Sequence, residues 1–161
     1  MPTADELREK LIRNFHDAPR GRFERAPLYD TESVRLAQGT AASQMGMSFD
    51  IVPPGKMSCP YHFHYEEEEM FIVLQGTGTL RVAGEKLPLK AGDVVFIPAG
   101  PEYPHQIINT SDAPLHYLSL STQAKTEVCE YPDSGKVGVF APGLRYLNKR
   151  EAGIDYWVDE P

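Results

Sequence analysis

Between residues 42 and 131 the sequence is a succession of short runs with apolar side chains at every second position, each cut off by a corner containing Gly or Pro. Met45, Met47, Phe49 and Ile51 alternate with Gly46, Ser48 and Asp50, and Pro53-Pro54-Gly55 ends the run. A period of two puts neighbouring side chains on opposite faces of a strand. Further extended stretches are expected at residues 61–65, 69–74, 79–82, 87–89, 94–97, 105–109, 115–121 and 126–131, separated by turns at Gly76, Gly84, Ala91-Gly92-Asp93 and Pro98-Ala99-Gly100-Pro101. Short strands with closely spaced turns and hardly a helix among them are the pattern of a sandwich or a closed barrel. The expected fold class is all-β.

The ends differ from this middle. Thr3 and Glu6 have the spacing of a capping box, and Leu7, Leu11 and Phe15 follow at helical intervals. The spacing predicts one amphipathic helix over 4–15. Residues 19–40 read as irregular, anchored by Phe23, Leu28, Tyr29, Val34 and Leu36. Three regions are therefore expected: a helix and extension at 1–40 packing on the barrel, the barrel itself at 41–131, and a C-terminal extension at 132–161 along its exterior. With 161 residues, 41% of them hydrophobic, one domain with a real core is expected.

The net charge is −7 and no basic stripe occurs, so neither nucleic acid nor an anionic membrane surface is an expected partner. No apolar run approaches the roughly 20 residues of a membrane span. The first ten residues are polar, unlike the apolar centre of a signal peptide. Cys59 and Cys129 fit a reduced compartment, with no disulfide indicated. A cytoplasmic location is expected.

His62 and His64 lie two apart on one of the expected strands, so both imidazoles share a face. Glu69 opens the next strand, within reach across the hairpin, and His105 begins a later one behind a Pro/Gly-rich corner. Three neutral imidazoles and one carboxylate suit a single divalent transition-metal ion (Fe, Mn, Ni, Co, Cu or Zn) and are too rich in nitrogen for Ca or Mg.

Two stretches sharpen this expectation. One reads Gly55, six residues, His62-Phe63-His64, four residues, Glu69, six residues, Gly76; the other reads Gly92, five residues, Pro98-Ala99-Gly100, four residues, His105, three residues, Asn109. Together they resemble the two motifs of the cupin superfamily, with His62 and His105 each set behind a slightly lengthened loop. The same spacing selects Glu69 over its neighbour Glu68, and a step of one residue reverses the face of a strand. Longer runs, among them residues 53–80 and 92–122, resemble a group of small single-domain bacterial cupins, some of which carry the label of sugar-phosphate isomerase. The resemblance implies a double-stranded β-helix (a jelly-roll barrel), a metal held by His62, His64, Glu69 and His105, and a homodimer. It implies no particular reaction, because cupins include isomerases, dioxygenases, decarboxylases and sugar-binding proteins.

Four protein ligands leave one or two coordination positions for a small oxygen-rich molecule. The expected functions are thus a metal-dependent isomerase or dioxygenase or, alternatively, a module that binds a carbohydrate or small acid without turnover. Tyr61, Tyr103 and Gln106 flank the ligands, and Lys56 and Lys136 are cations available to an anionic group. His116 falls in phase with leucines and His16 has no metal-spaced partner, so neither is expected to bind metal. Cys59 falls on the opposite phase from His62, and Cys129 reads as a small buried side chain. No acid or base beyond the ligands stands out.

Overall fold

The computed structural model describes residues 1–160. Among these residues a single α-helix, α1 (Ala4–Leu11), is followed by thirteen strands. These are β1 (Gly21–Arg25), β2 (Tyr29–Arg35), β3 (Met45–Val52), β4 (Phe63–His64), β5 (Glu69–Gln75), β6 (Thr77–Val82), β7 (Glu85–Lys90), β8 (Val94–Ile97), β9 (His105–Ile108), β10 (Leu115–Thr122), β11 (Glu127–Tyr131), β12 (Lys136–Ala141) and β13 (Leu144–Lys149). The all-β expectation holds.

One wall is a six-stranded sheet ordered β1-β2-β3-β10-β5-β8. The other is built from two smaller sheets, β13-β12-β11-β4 and β7-β6-β9. They are joined where His62 and His105 exchange backbone hydrogen bonds, His62 N to His105 O at 3.1 Å and His105 N to His62 O at 2.8 Å. Among the described residues, these strands pair antiparallel throughout. The result is a jelly-roll barrel of the double-stranded β-helix type.

Turn chemistry sets the corners. Ala83 and Gly84 both have positive φ (48° and 86°), as a two-residue hairpin between β6 and β7 requires. Gly76 has φ +86°, and a Cβ there would stand 2.6 Å from the carbonyl oxygen of Pro114, so only glycine lets β5 turn into β6 against that loop. Pro88 sits within β7 without breaking a ladder because β7 is an edge strand.

Strand β3 shows which face is which. Phe49, with Met47 and Ile51 beside it, packs outside the barrel against Val34, Leu36, Phe15 and Ala18. The opposite phase, Ser48, Asp50 and Val52, faces the interior, where Val52 joins Phe71, Val73, Leu80, Ile107, Leu115 and Tyr117 in the main core. The more apolar phase of β3 is therefore on the outside, covered by the chain's own N-terminal region, while a polar row lines the barrel.

Two N-terminal expectations need correction. The capping box forms, with Glu6 N bonded to Thr3 Oγ1 and Thr3 N to the Glu6 carboxylate, but the helix stops at Leu11 and buries none of its residues. Phe15, expected on that helix, instead lies against Phe49 with ring centroids 4.8 Å apart; leaving the helix early is what brings the ring down onto the sheet. Residues 19–40, read as irregular, contain β1 and β2. Their alternation is hidden because β1 is exposed on both faces at the sheet edge and the inward phase of β2 is Thr31, Ser33 and Arg35. Beyond residue 131, the C-terminal residues add the β12–β13 hairpin to the smaller wall.

Asn109, the last residue of the second motif, is fully buried. Its Nδ2 donates to the carbonyls of Val52 (2.7 Å) and Ala113 (2.8 Å), and its Oδ1 accepts from the backbone and hydroxyl of Ser111. It ties β9 to the end of β3 and to the turn before β10. Asn109→Ala strands buried partners and should destabilise the fold by about 3 kcal/mol, measured as a lower midpoint in urea unfolding with unchanged slope.

Candidate metal centre

The backbone exchange between His62 and His105 places two imidazoles side by side on the smaller wall, with ring centroids 4.7 Å apart. His64 shares their face from β4, its ring edge-on to His62 at 4.9 Å. Glu69 enters from the opposite wall, at the start of β5. Its Oε2 lies 2.7 Å from His105 Nε2, 3.5 Å from His64 Nε2 and 3.7 Å from His62 Nε2. The four residues expected from the sequence are thus brought together. Glu68 is exposed on the other phase and points away.

The protonation pattern suits a cation. His62 Nδ1 lies 2.8 Å from the carbonyl of Pro60, and His105 Nδ1 lies 3.3 Å from that of Tyr103. A carbonyl only accepts, so both Nδ1 atoms carry a proton and each ring turns its Nε2 toward Glu69, as a lone pair once the second proton is given up. Glu69 Oε2 and His105 Nε2, despite their approach, are buried without a hydrogen-bond partner. Burial raises the Glu69 carboxyl, but the imidazoles of His105, His64 and His62 outweigh it and hold the group below its usual range. Burial likewise pushes His64 down, toward the neutral form that ligates metal. Three imidazole nitrogens and a carboxylate oxygen converging in a buried site, two of these atoms without a hydrogen-bond partner, are a set that a divalent ion would satisfy.

Glu127 is the residue that sequence reasoning missed. It is buried at the start of β11, and its Oε1 is 3.6 Å from His64 Nδ1. The same carboxylate accepts the backbone amides of Tyr65 (2.9 Å), Glu66 (3.2 Å) and Glu67 (3.0 Å). It thereby holds the loop between His64 and Glu69 and stands beside the outer nitrogen of His64. Its only sequence signal is a charged residue in the inward phase of Cys129 and Tyr131, which no ligand spacing marks.

The remaining candidates sort by contact. Gln106 is buried and donates to the carbonyl of Cys59 at 2.8 Å, bracing the loop before His62. Tyr61 is buried under the Arg81 guanidinium, and Tyr103 is exposed, contributing its carbonyl. Lys56 is engaged with the carbonyl of Pro27, and Lys136 lies over the Tyr131 ring. Cys59 Sγ lies 3.9 Å from His62 Nδ1, the nitrogen already taken by Pro60, so it stands off the ligand side. Both cysteines are free, and burial pushes each thiol up to about 12. His116 packs edge-on against Phe49 outside the barrel, and His16 is exposed beside Phe15.

Comparison with known proteins agrees with this geometry. The cupin domain family matches residues 48–121. A crystal structure from Acidithiobacillus ferrooxidans, provisionally named a sugar phosphate isomerase, superposes over 96% of this chain and 95% of its own with a TM-score of 0.79 at 25% identity. A cupin-superfamily sugar phosphate isomerase from Silicibacter pomeroyi covers 78% of this chain and 81% of its own, with a TM-score of 0.72 at 27% identity. The oxalate-binding protein of Thermotoga maritima is 38% identical over 69 residues, which is 43% of this chain and 54% of that protein. The curated relatives are matched over only 40–65% of their own length. No helix among the described residues is long and apolar enough to cross a membrane. With its jelly-roll walls, its two motifs in order and its His/Glu cluster between them, the chain carries a cupin domain over residues 48–121.

Proposed function

We propose that His62, His64, Glu69 and His105 hold one divalent transition-metal ion and that the site isomerises a small sugar-like molecule, with sugar phosphates as the substrate class. The observation that carries the metal reading is the convergence of three imidazole Nε2 atoms on Glu69 Oε2, which with His105 Nε2 is buried without a hydrogen-bond partner. The ion supplies Lewis-acid polarisation of substrate oxygens. Similarity to sugar phosphate isomerases over most of the chain supports the reaction class.

Isomerisation also needs a group that takes and returns a proton. Asp50 fills that role. It lies on the inner face of β3, buried and accepting from Ser48 Oγ at 2.5 Å. Burial pushes its carboxyl up against the opposing pull of the Ser48 and Ser33 hydroxyls. Ser48, two residues nearer the barrel mouth, faces a cavity there and would pass a proton inward to Asp50 while taking one from the substrate.

The second reading, a module that holds a small acid without turnover, is favoured by the oxalate-binding relative. A homodimer and a cytoplasmic location complete the proposal. The dimer is supported by the bare outer face of β8, where Phe96 is 73% exposed, and by the unpaired outer edge of β1.

Metal analysis of protein purified without an affinity tag should find about one ion per chain. Zinc or manganese with sugar-phosphate turnover supports the isomerase; iron with oxygen uptake points to a dioxygenase; no stoichiometric metal after reconstitution removes the central claim. His62→Ala or His105→Ala should lose metal to a chelator at once, whereas Glu68→Gln retains it. Glu127→Gln should weaken retention roughly 10- to 100-fold, read by competition with a chromogenic chelator.

Asp50→Asn tests the proton carrier. Because the folded carboxyl titrates above its unfolded value, its contribution to stability is present below about pH 3.9 and declines as pH rises through the folded value. The asparagine variant should therefore melt higher than the parent at pH 7, with the gap closing toward pH 4, while metal content stays and turnover disappears. A variant that turns over normally would assign Asp50 no part in the chemistry.

A further inference from the structure

Strand register extends the site beyond its ligands. On the inner face of the large wall, Ser121 of β10 lies directly opposite Glu69 on one side and Gly46 of β3 on the other. The next row inward sets Arg35 of β2, Ser48 of β3, Ser119 of β10 and Phe71 of β5 across from one another. The row begins at Phe71, two residues or about 7 Å along β5 from Glu69, and crosses three strand spacings of about 4.8 Å to reach Arg35. A cavity of about 450 Å³ opens over it, lined by Arg35, Gln38, Ser48, Ser119, Ser121 and Gln123. That volume suits a small metabolite.

The lining has a distinct chemistry. Four hydroxyls, those of Ser43, Ser48, Ser119 and Ser121, and two amides both donate and accept, which matches a chain of hydroxyl groups. Gln123 Nε2 donates to Ser121 Oγ at 2.9 Å, and the pair fits only because residue 46 is glycine: a Cβ there would stand 2.7 Å from each of those atoms. Arg35 is the one cation lining this cavity and takes part in none of the ion pairs among the described residues. The other side of the mouth is acidic, its cavities being lined by Glu66, Glu67, Glu68 and Glu127 with Lys125. A negative group on a bound molecule is repelled there and drawn to Arg35.

We infer that this row is the substrate-recognition site and that it takes a small polyhydroxylated anion, its hydroxyls on Ser48, Ser119, Ser121 and Gln123 and its phosphate or carboxylate on Arg35. The inference rests on the proposed metal centre for the position of the reacting end, but the polar side chains of the row come from β2, β3 and β10, none of which carries a ligand.

The test is calorimetric titration of the metal-reconstituted protein with a hexose 6-phosphate, the matching hexonate and the neutral hexose. At least one anion should bind more tightly than the hexose; binding of the phosphate alone or of the hexonate alone identifies the anionic group. Arg35→Met should weaken that anion at least about tenfold and leave the neutral hexose and the metal content unchanged. Gly46→Ala, which drives Gln123 into the cavity, should weaken charged and neutral sugars alike. Undiminished anion binding by Arg35→Met, equal binding of the neutral hexose by the parent, or metal-loaded protein that binds none of the three would overturn the assignment. Protein that holds no metal yet binds an anion in an Arg35-dependent way would retain this site and discard the metal reading.

Discussion

The backbone exchange between His62 and His105 is the contact on which the rest depends. It joins two small sheets into one wall, and the residues that make it are themselves candidate ligands. Main-chain pairing fixes the two Cα positions, and the carbonyls of the residues two positions earlier, Pro60 and Tyr103, fix the rings through their Nδ1 atoms. The imidazoles therefore need no ion to find their orientation. Glu69 comes from the opposite wall, so the geometry of the cluster is also the separation between walls. A site shared by both walls is as rigid as the barrel's closure.

That closure has to tolerate an unusually polar interior at one end. Asp50, Glu127, His62 and His105 are all buried, and each such group destabilises the fold unless it is partnered. The partners are visible: Glu127 takes three backbone amides, Asp50 a serine hydroxyl, and both His62 and His105 a carbonyl. Compensation comes from the other end of the barrel, where Val52, Val73, Leu80, Ile107 and Leu115 pack as an apolar plug and Asn109 ties three segments together. The N-terminal residues add a second small core on the outside of the large sheet. One protein thus divides into a stabilising end and a chemical end, an arrangement in which the binding end can vary while the fold is kept.

Charge is distributed to the same purpose. The loop from Glu66 to Glu68 brings carboxylates to one side of the mouth, and its backbone is held by Glu127, so the acidic side is fixed in place. The opposite side presents hydroxyls, amides and Arg35. An approaching anion meets an orienting field before it meets the His/Glu cluster.

Much of this was legible from residue order. The period of two and the Gly and Pro corners implied the barrel, and motif spacing chose His62, His64, Glu69 and His105 and preferred Glu69 to Glu68, because those signals are local and a strand's parity leaves only two faces. What residue order could not convey was which face was inside. In β3 the apolar phase lies outward under the N-terminal segment and the polar phase lines the site, so Asp50, Ser48 and Arg35 look like surface residues until the walls close. Glu127, 63 positions beyond His64 in the chain, comes within 3.6 Å of it only through the pairing of β11 with β4. The candidate ligands were written in local spacing; their surroundings are long-range contacts, and only the tertiary structure decides those.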